Sequence, residues 1–263
     1  MKWSWIFGLL FSATSYAQGL PFAFWKTASP PTFIQEAETV WNTTTSPKTT
    51  ASFNVLAADV LVAYAIREND SAGQDVTISG GSLDWFVVGA IDTNTSGFTE
   101  VRVWAAYVDA DKAMTVTFTG PGSSQFGGNV FTFRNSAGIG ASATANASGA
   151  PSVNITTTAA SSAVVVVNGD WNAVDGATRS WRLNATEKTY SFSSGAYTAY
   201  GGYHGNIGAA GTYAVGLSLP VGQEFSTIAV EVKGGSPQAF CNGTISPAPG
   251  TARTRCPFCT GRK

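Results

Sequence analysis

Trp104-Ala105-Ala106-Tyr107 and Tyr200-Gly201-Gly202-Tyr203 share one pattern: aromatic, small, small, aromatic. They lie 96 residues apart, and so do Trp85 and Trp181. The same 19-residue interval therefore separates a tryptophan from the next aromatic pair in both places. Upstream, Ser52-Phe53-Asn54-Val55 is echoed by Ser152-Val153-Asn154-Ile155 at an offset of 100. Self-similarity at a fixed period marks a repeated structural unit. The spacing predicts two internal repeats, residues 52–135 and 152–233.

Within each repeat the pattern is that of short strands. Residues 59–66 form a compact apolar run bounded by polar residues, as a buried strand would. Val76 to Ser79 ends at the turn signal Gly80-Gly81, and residues 85–91 follow. Glu100-Val101-Arg102-Val103 alternates, the mark of a half-buried strand. Met114, Val116 and Phe118 alternate with threonines up to Gly120-Pro121-Gly122, and residues 130–134 close the unit. The second copy repeats this with residues 164–167, then Val215, Leu217 and Leu219, then residues 228–232. The first apolar run stands about eight residues further from its tryptophan than the second does, which predicts an additional hairpin. Residues 136–150 are almost wholly Ala, Ser, Gly, Thr and Asn and read as a connector without a core of its own.

Many short strands with glycine-rich turns and no helical period predict an all-β protein. The expected architecture is an antiparallel β-sandwich over residues 51–235, jelly-roll-like, with both repeats in one double sheet. Two small sandwiches in tandem are the alternative. The small pairs Ala105-Ala106 and Gly201-Gly202 would let a facing sheet or ring approach the backbone.

Charged residues make up 12%, with 15 basic against 16 acidic. A near-neutral chain lacks the basic stripe that nucleic acid requires. Residues 1–17 read either as a secretory signal, ending in Ser15-Tyr16-Ala17, or as a hydrophobic arm. Their apolar run is too short for a transmembrane span. Residues 18–50 carry Pro21, Pro30, Pro31 and Pro47 and read as an extended arm with one strand near residues 33–40. That arm bears Phe22, Phe24, Trp25, Phe33 and Trp41, more aromatic side chains than a solvated linker carries, so it is expected to assemble on a neighbour and to be dispensable for the fold. Residues 236–263 form a proline-rich, basic tail holding all three cysteines, Cys241, Cys256 and Cys259. Three ligands fall short of a structural zinc site, which favours a disulfide or free thiols.

The pattern resembles a loose class of duplicated, jelly-roll-like β-sandwich proteins of tailed-phage virions and bacterial surfaces. The resemblance rests on Asp59-Val-Leu-Val-Ala-Tyr64, the Trp85 region, Val103-Trp-Ala-Ala-Tyr107 and Val130-Phe-Thr-Phe133, with their second copies, and covers about residues 52–233. It implies a fold, not a reaction.

Candidate chemistry is sparse. A Ser-His-Asp relay would need His204, the single histidine. A glycoside hydrolase would need two carboxylates among residues such as Asp84, Glu100, Asp170 and Asp175. Asp109-Ala110-Asp111 offers too few oxygens for calcium. Trp171, Tyr190 and Tyr197 lack aromatic counterparts in the other repeat and are the candidates for stacking on sugar rings. The reading is therefore a non-enzymatic structural or adhesive protein, extracellular or on a virion surface. It would act by self-association or by binding other surface proteins, without metal or cofactor. A secreted carbohydrate-binding module with glycan partners is the alternative, and a glycoside hydrolase a weaker one. If the first seventeen residues are a signal, the exported protein begins at Gln18; intact mass spectrometry of the mature chain checks this, and a mass that retains Met1 to Ala17 overturns it.

Overall fold

Valine, threonine and aromatic residues punctuated by glycine favour the pleated, half-buried surface of a sheet. The computed structural model describes residues 29–68, 75–91 and 99–235, and no α-helix occurs among them. The strands in chain order are β1 (Thr32–Glu38), β2 (Lys48–Thr49), β3 (Phe53–Val55), β4 (Val60–Arg67), β5 (Thr77–Gly80), β6 (Phe86–Ile91), β7 (Glu100–Tyr107), β8 (Lys112–Met114) and β9 (Val116–Thr119). They continue with β10 (Phe126–Arg134), β11 (Ser136–Gly149), β12 (Ser152–Thr156), β13 (Ala163–Asp170), β14 (Ser180–Trp181), β15 (Thr186–Ser193), β16 (Tyr197–His204), β17 (Thr212–Leu219) and β18 (Gln223–Gly234). The expectations for residues 1–28 and 236–263, including Phe22, Phe24, Trp25 and the three cysteines, lie outside the described residues.

Two five-stranded antiparallel sheets face each other as a β-sandwich. The first runs β1-β10-β4-β7-β6 and the second β11-β18-β13-β16-β15. Alternation along β4 sends Val62, Tyr64 and Ile66 into the central core and Leu61, Ala63 and Ala65 to the outer face. In β13, Ala163, Val165 and Val167 point inward and Val164 and Val166 outward. Small sheets cover both outer faces: β2-β9-β5 and β3-β8 on the first, β12-β17-β14 on the second. With both faces covered, β4 and β13 have to be apolar throughout, which is why they read as runs and not as alternations.

The paired aromatic motifs sit on corresponding strands. Trp104 on β7 lies opposite Ala63 and Tyr200 on β16 opposite Asn168, and both rings are buried. Tyr203 points inward and stacks on Phe33 with centroids 4.5 Å apart. The small pair between the tyrosines performs the expected service. A Cβ at Gly201 would collide with the Tyr64 hydroxyl, and one at Gly202 would press on the Thr186 carbonyl and the Trp181 ring.

The ladder separates the other matched pair. Phe53 pairs with Met114 and Val153 with Val215; two residues further on, Gly80 pairs with Val116 and Trp181 with Leu217. The ladder counterpart of Trp181 is thus Gly80, not Trp85. Trp85 follows in the link to β6, and its indole N–H reaches the Gly80 carbonyl at 3.1 Å. The equal 19-residue intervals arise by compensation: Trp85 stands close before Val87, which pairs with Trp104 across a long hairpin, whereas Trp181 stands well before Tyr190, which pairs with Tyr200 across a short one. Nor do residues 75–91 form a hairpin of their own, since β5 pairs with β9.

The segment expected to link the repeats and the arm expected to lie outside the sandwich both contribute strands to it. Residues 136–150 are not a connector: β11 spans 14 residues at the edge of the second sheet. Ala141, Ala143 and Ala145 pack on the outer core while Ser142, Thr144 and Asn146 face solvent. Low side-chain volume hid a strand whose backbone does most of the bonding. The arm also folds back on its own chain, with β1 completing the first sheet and Phe33 and Trp41 packed on the central core. The Lys48 ammonium is buried over the Phe126 ring and donates to the carbonyls of Val40, Thr43 and Phe126; burial lowers its pKa to about 8. Residues 29–50 are therefore not dispensable.

A polar seam joins β1 to β15. The Thr189 hydroxyl donates to Glu38 at 2.9 Å and accepts from Tyr64 at 2.8 Å and from Asn129 at 3.1 Å. The Trp41 indole N–H also reaches Glu38. The fit of Tyr64 to Gly201 is the part of the seam most sensitive to volume. Gly201→Ala is expected to cost roughly 1–3 kcal/mol by overpacking. In urea titrations the loss in the Gly201→Ala/Tyr64→Phe double variant should be smaller than the sum of the single losses.

Candidate functional site

Residues 171–179, between β13 and β14, hold Trp171 and Asp175 and lie against Asp170 and Tyr190, four of the residues singled out from the sequence. The chain turns there around Asp170, whose carboxylate accepts the backbone N–H groups of Asn172 at 3.0 Å and Val174 at 2.7 Å. Thr198 fastens the same turn by donating to the Val174 carbonyl. Burial pushes the Asp170 carboxyl up to about 6, against the opposing pull of those N–H groups.

Beside the turn, Arg179 forks onto the Glu187 carboxylate, and Trp181 donates to it at 2.7 Å. Burial opposes ionisation of Glu187, but these bonds prevail and hold its pKa below the ordinary value. The Arg179 guanidinium also lies 3.7 Å from the centroid of the Tyr190 ring. The Tyr190 hydroxyl donates to Asp175 at 2.8 Å, and its ring abuts Tyr200 with centroids 5.7 Å apart. Sequence reasoning missed the Arg179–Trp181–Glu187 set. Its signal was present: charges are scarce in this chain, yet Arg179, Arg182, Glu187 and Lys188 crowd around one tryptophan.

The three candidate stacking residues have different fates. Tyr197 is fully buried in the central core and offers no ring face to a ligand. Tyr190 is half-buried, with one face under the guanidinium. Trp171 keeps partial exposure, and its backbone N–H donates to Glu224.

The carboxylate candidates do not converge. Glu100 shares the outward parity of Trp104 on β7, whereas Asp170 shares that of Val164 and Val166 on β13. They face away from each other across both large sheets and cannot flank one bond. Glu100 is instead buried against Arg67 and Arg102, and burial raises its pKa against the pull of Arg67. Asp84 and Asp175 are exposed. Asp109 pairs with Lys112, and Asp111 accepts the Ala57 N–H. His204 is buried at the end of β16, and burial lowers its pKa. Among the described residues, no three His, Cys, Asp or Glu side chains converge as a metal site would need, and no helix is long and apolar enough to cross a membrane.

The class these features define is an all-β antiparallel sandwich whose clustered polar groups bond to one another. No protein-family model, curated protein or solved structure matches the chain.

Asp170 provides a test of this account. Its folded pKa of about 6 lies above the ordinary aspartate value of about 3.9. The group therefore contributes stability that is fully present below about pH 4 and is lost as pH rises through about 6. Unfolding titrations from pH 4 to pH 7 should show a decline of roughly 3 kcal/mol from this group. Asp170→Asn should remove that decline; a variant whose stability falls as steeply as the parent's would refute the assignment.

Proposed function

We propose that the chain is a non-enzymatic structural or adhesive subunit of a virion or cell surface, attached by its two ends and working through assembly or binding. One observation carries this reading. The Gly235 N–H donates to the Ser29 carbonyl at 2.9 Å, so the stretches before Ser29 and after Gly235 join the sandwich at one point. The first stretch bears Phe22, Phe24 and Trp25, and the second bears Cys241, Cys256, Cys259 and a basic end. The chain thus enters and leaves the described sandwich at one pole, and the described residues fill the cores among themselves.

Two further observations support the reading. Among the described residues, the carboxylates of Asp170, Glu187 and Glu231 are engaged in bonds that hold strands and turns. The two large sheets share one succession of strands, which favours a duplicated, jelly-roll-like origin of the kind seen in tailed-phage and bacterial surface proteins. A secreted carbohydrate-binding module is the second reading, and the part-exposed Trp171 ring is the observation that favours it.

Fractionation tests the proposal. The full chain should co-sediment with its particle or envelope. Residues 29–235 alone should keep the β circular-dichroism signature and a melting temperature within a few degrees of the parent, yet remain in the supernatant. Retention of the truncated form on the surface would reject attachment through the ends.

A further inference from the structure

The sandwich has a sealed side and an open side. Its large sheets are bounded by β1 and β6 in one case and by β11 and β15 in the other. The edges β1 and β15 are tied together by Glu36 to Lys188 and Glu38 to Thr189, and both strands bear charges. Across the molecule β6 lies beside β11, where the Tyr107 hydroxyl accepts the Ile139 N–H at 3.3 Å. Neither β6 nor β11 contains a charged residue or a proline. Phe86 and Val87 on β6 are 38% and 51% exposed.

Exposed strand edges are normally guarded by charge, proline, bulges or short length, because their unpaired backbone groups recruit further strands. In β11 only the first part is guarded. Its pairing with β18 is bulged between Ser136 and Ser142 and then runs in unbroken register from Ser142 opposite Val230 to Gly149 opposite Gln223. Residues 142–149 are thus a regular ladder strand, about 25 Å long at the usual rise. Among the described residues they pair on one side only. The charge pattern selects the occupant. A charged strand would find no counter-charge here, whereas a second β11 is neutral at every position and sets no like charges opposite each other. Antiparallel pairing of a strand with its own copy generates a two-fold axis and a closed dimer.

We propose that residues 143–149 pair antiparallel with the same residues of a second copy of this chain, about a two-fold axis at Asn146. The two second sheets then become one continuous sheet. The proposal rests on the assembly reading above and supplies its subunit contact.

The test uses the full chain in reductant, followed by analytical ultracentrifugation over a range of concentrations. The parent should show a monomer–dimer equilibrium. Thr144 and Ser148 are exposed, and the double variant Thr144→Lys/Ser148→Lys should dimerise roughly tenfold more weakly or worse, because position 144 of each copy lies opposite position 148 of the other and like charges then meet across the junction. Thr144→Glu/Ser148→Glu should be impaired in the same way, and an equimolar mixture of the two variants should recover the dimer. Thermal melts of each variant check that the sandwich is intact. A lysine variant that dimerises like the parent overturns edge pairing, and so does a mixture that fails to recover. A parent that stays monomeric also overturns it, as when the chain's own residues 1–28 or another protein occupy the edge. Attachment to a surface is read separately by fractionation, so a monomeric parent that still co-sediments rejects the edge pairing alone.

Discussion

Tyr64 reaches from the first large sheet into the space left by Gly201 in the second, and its hydroxyl closes on Thr189. The rest of the architecture follows from this contact. The ring lies edge-on to Phe131, which adjoins both Phe33 and Tyr203, so one tyrosine leads into the aromatic centre of the core. Its bond to Thr189 draws in Glu38 and Asn129, which fixes the first strand of one sheet against the last-placed strand of the other. A buried hydroxyl without a partner costs far more than a satisfied one gains, so the relative placement of the sheets is specified and not merely permitted.

The scarce charges act in the same way. The Glu231 carboxylate accepts the backbone N–H groups of Ala141, Thr158 and Ala159 and the hydroxyls of Thr158 and Ser162. Burial opposes its ionisation, but these donors outweigh burial and lower its pKa. One side chain thereby anchors the bulged start of β11 to the turn before β13. Asp59 does comparable work with Arg134 at the start of β4. Breaking a buried pair by removing one member is costly even where the pair adds little net stability, so such groups specify geometry more than they stabilise it. Groups engaged in this way hold strands and turns in place.

The distribution of bonds also explains why the two sides differ. On the β1 and β15 side, charge and hydroxyl bonds close the seam. On the β6 and β11 side, small neutral residues leave the backbone of one strand available.

Local chemistry alone determined the strands, because alternation, apolar runs and glycine turns act over a few residues. It also determined the small pair at Gly201-Gly202, since two tyrosines around two glycines leave room that some ring must fill. The sugar-stacking candidates were not legible: aromatic identity does not say which way a ring points, and tertiary packing buried Tyr197 and laid Arg179 over Tyr190. Spacing misled for Trp85 and Trp181, because register is set by partner strands that a sequence interval does not contain. Composition misled for residues 136–149, which contribute backbone bonds where side-chain volume is lacking. That β1 belongs to its own sheet, and that β11 stands at the edge of the other among the described residues, was decided by long-range pairing. A strand's sequence shows what it can bury; only its neighbours decide what it meets.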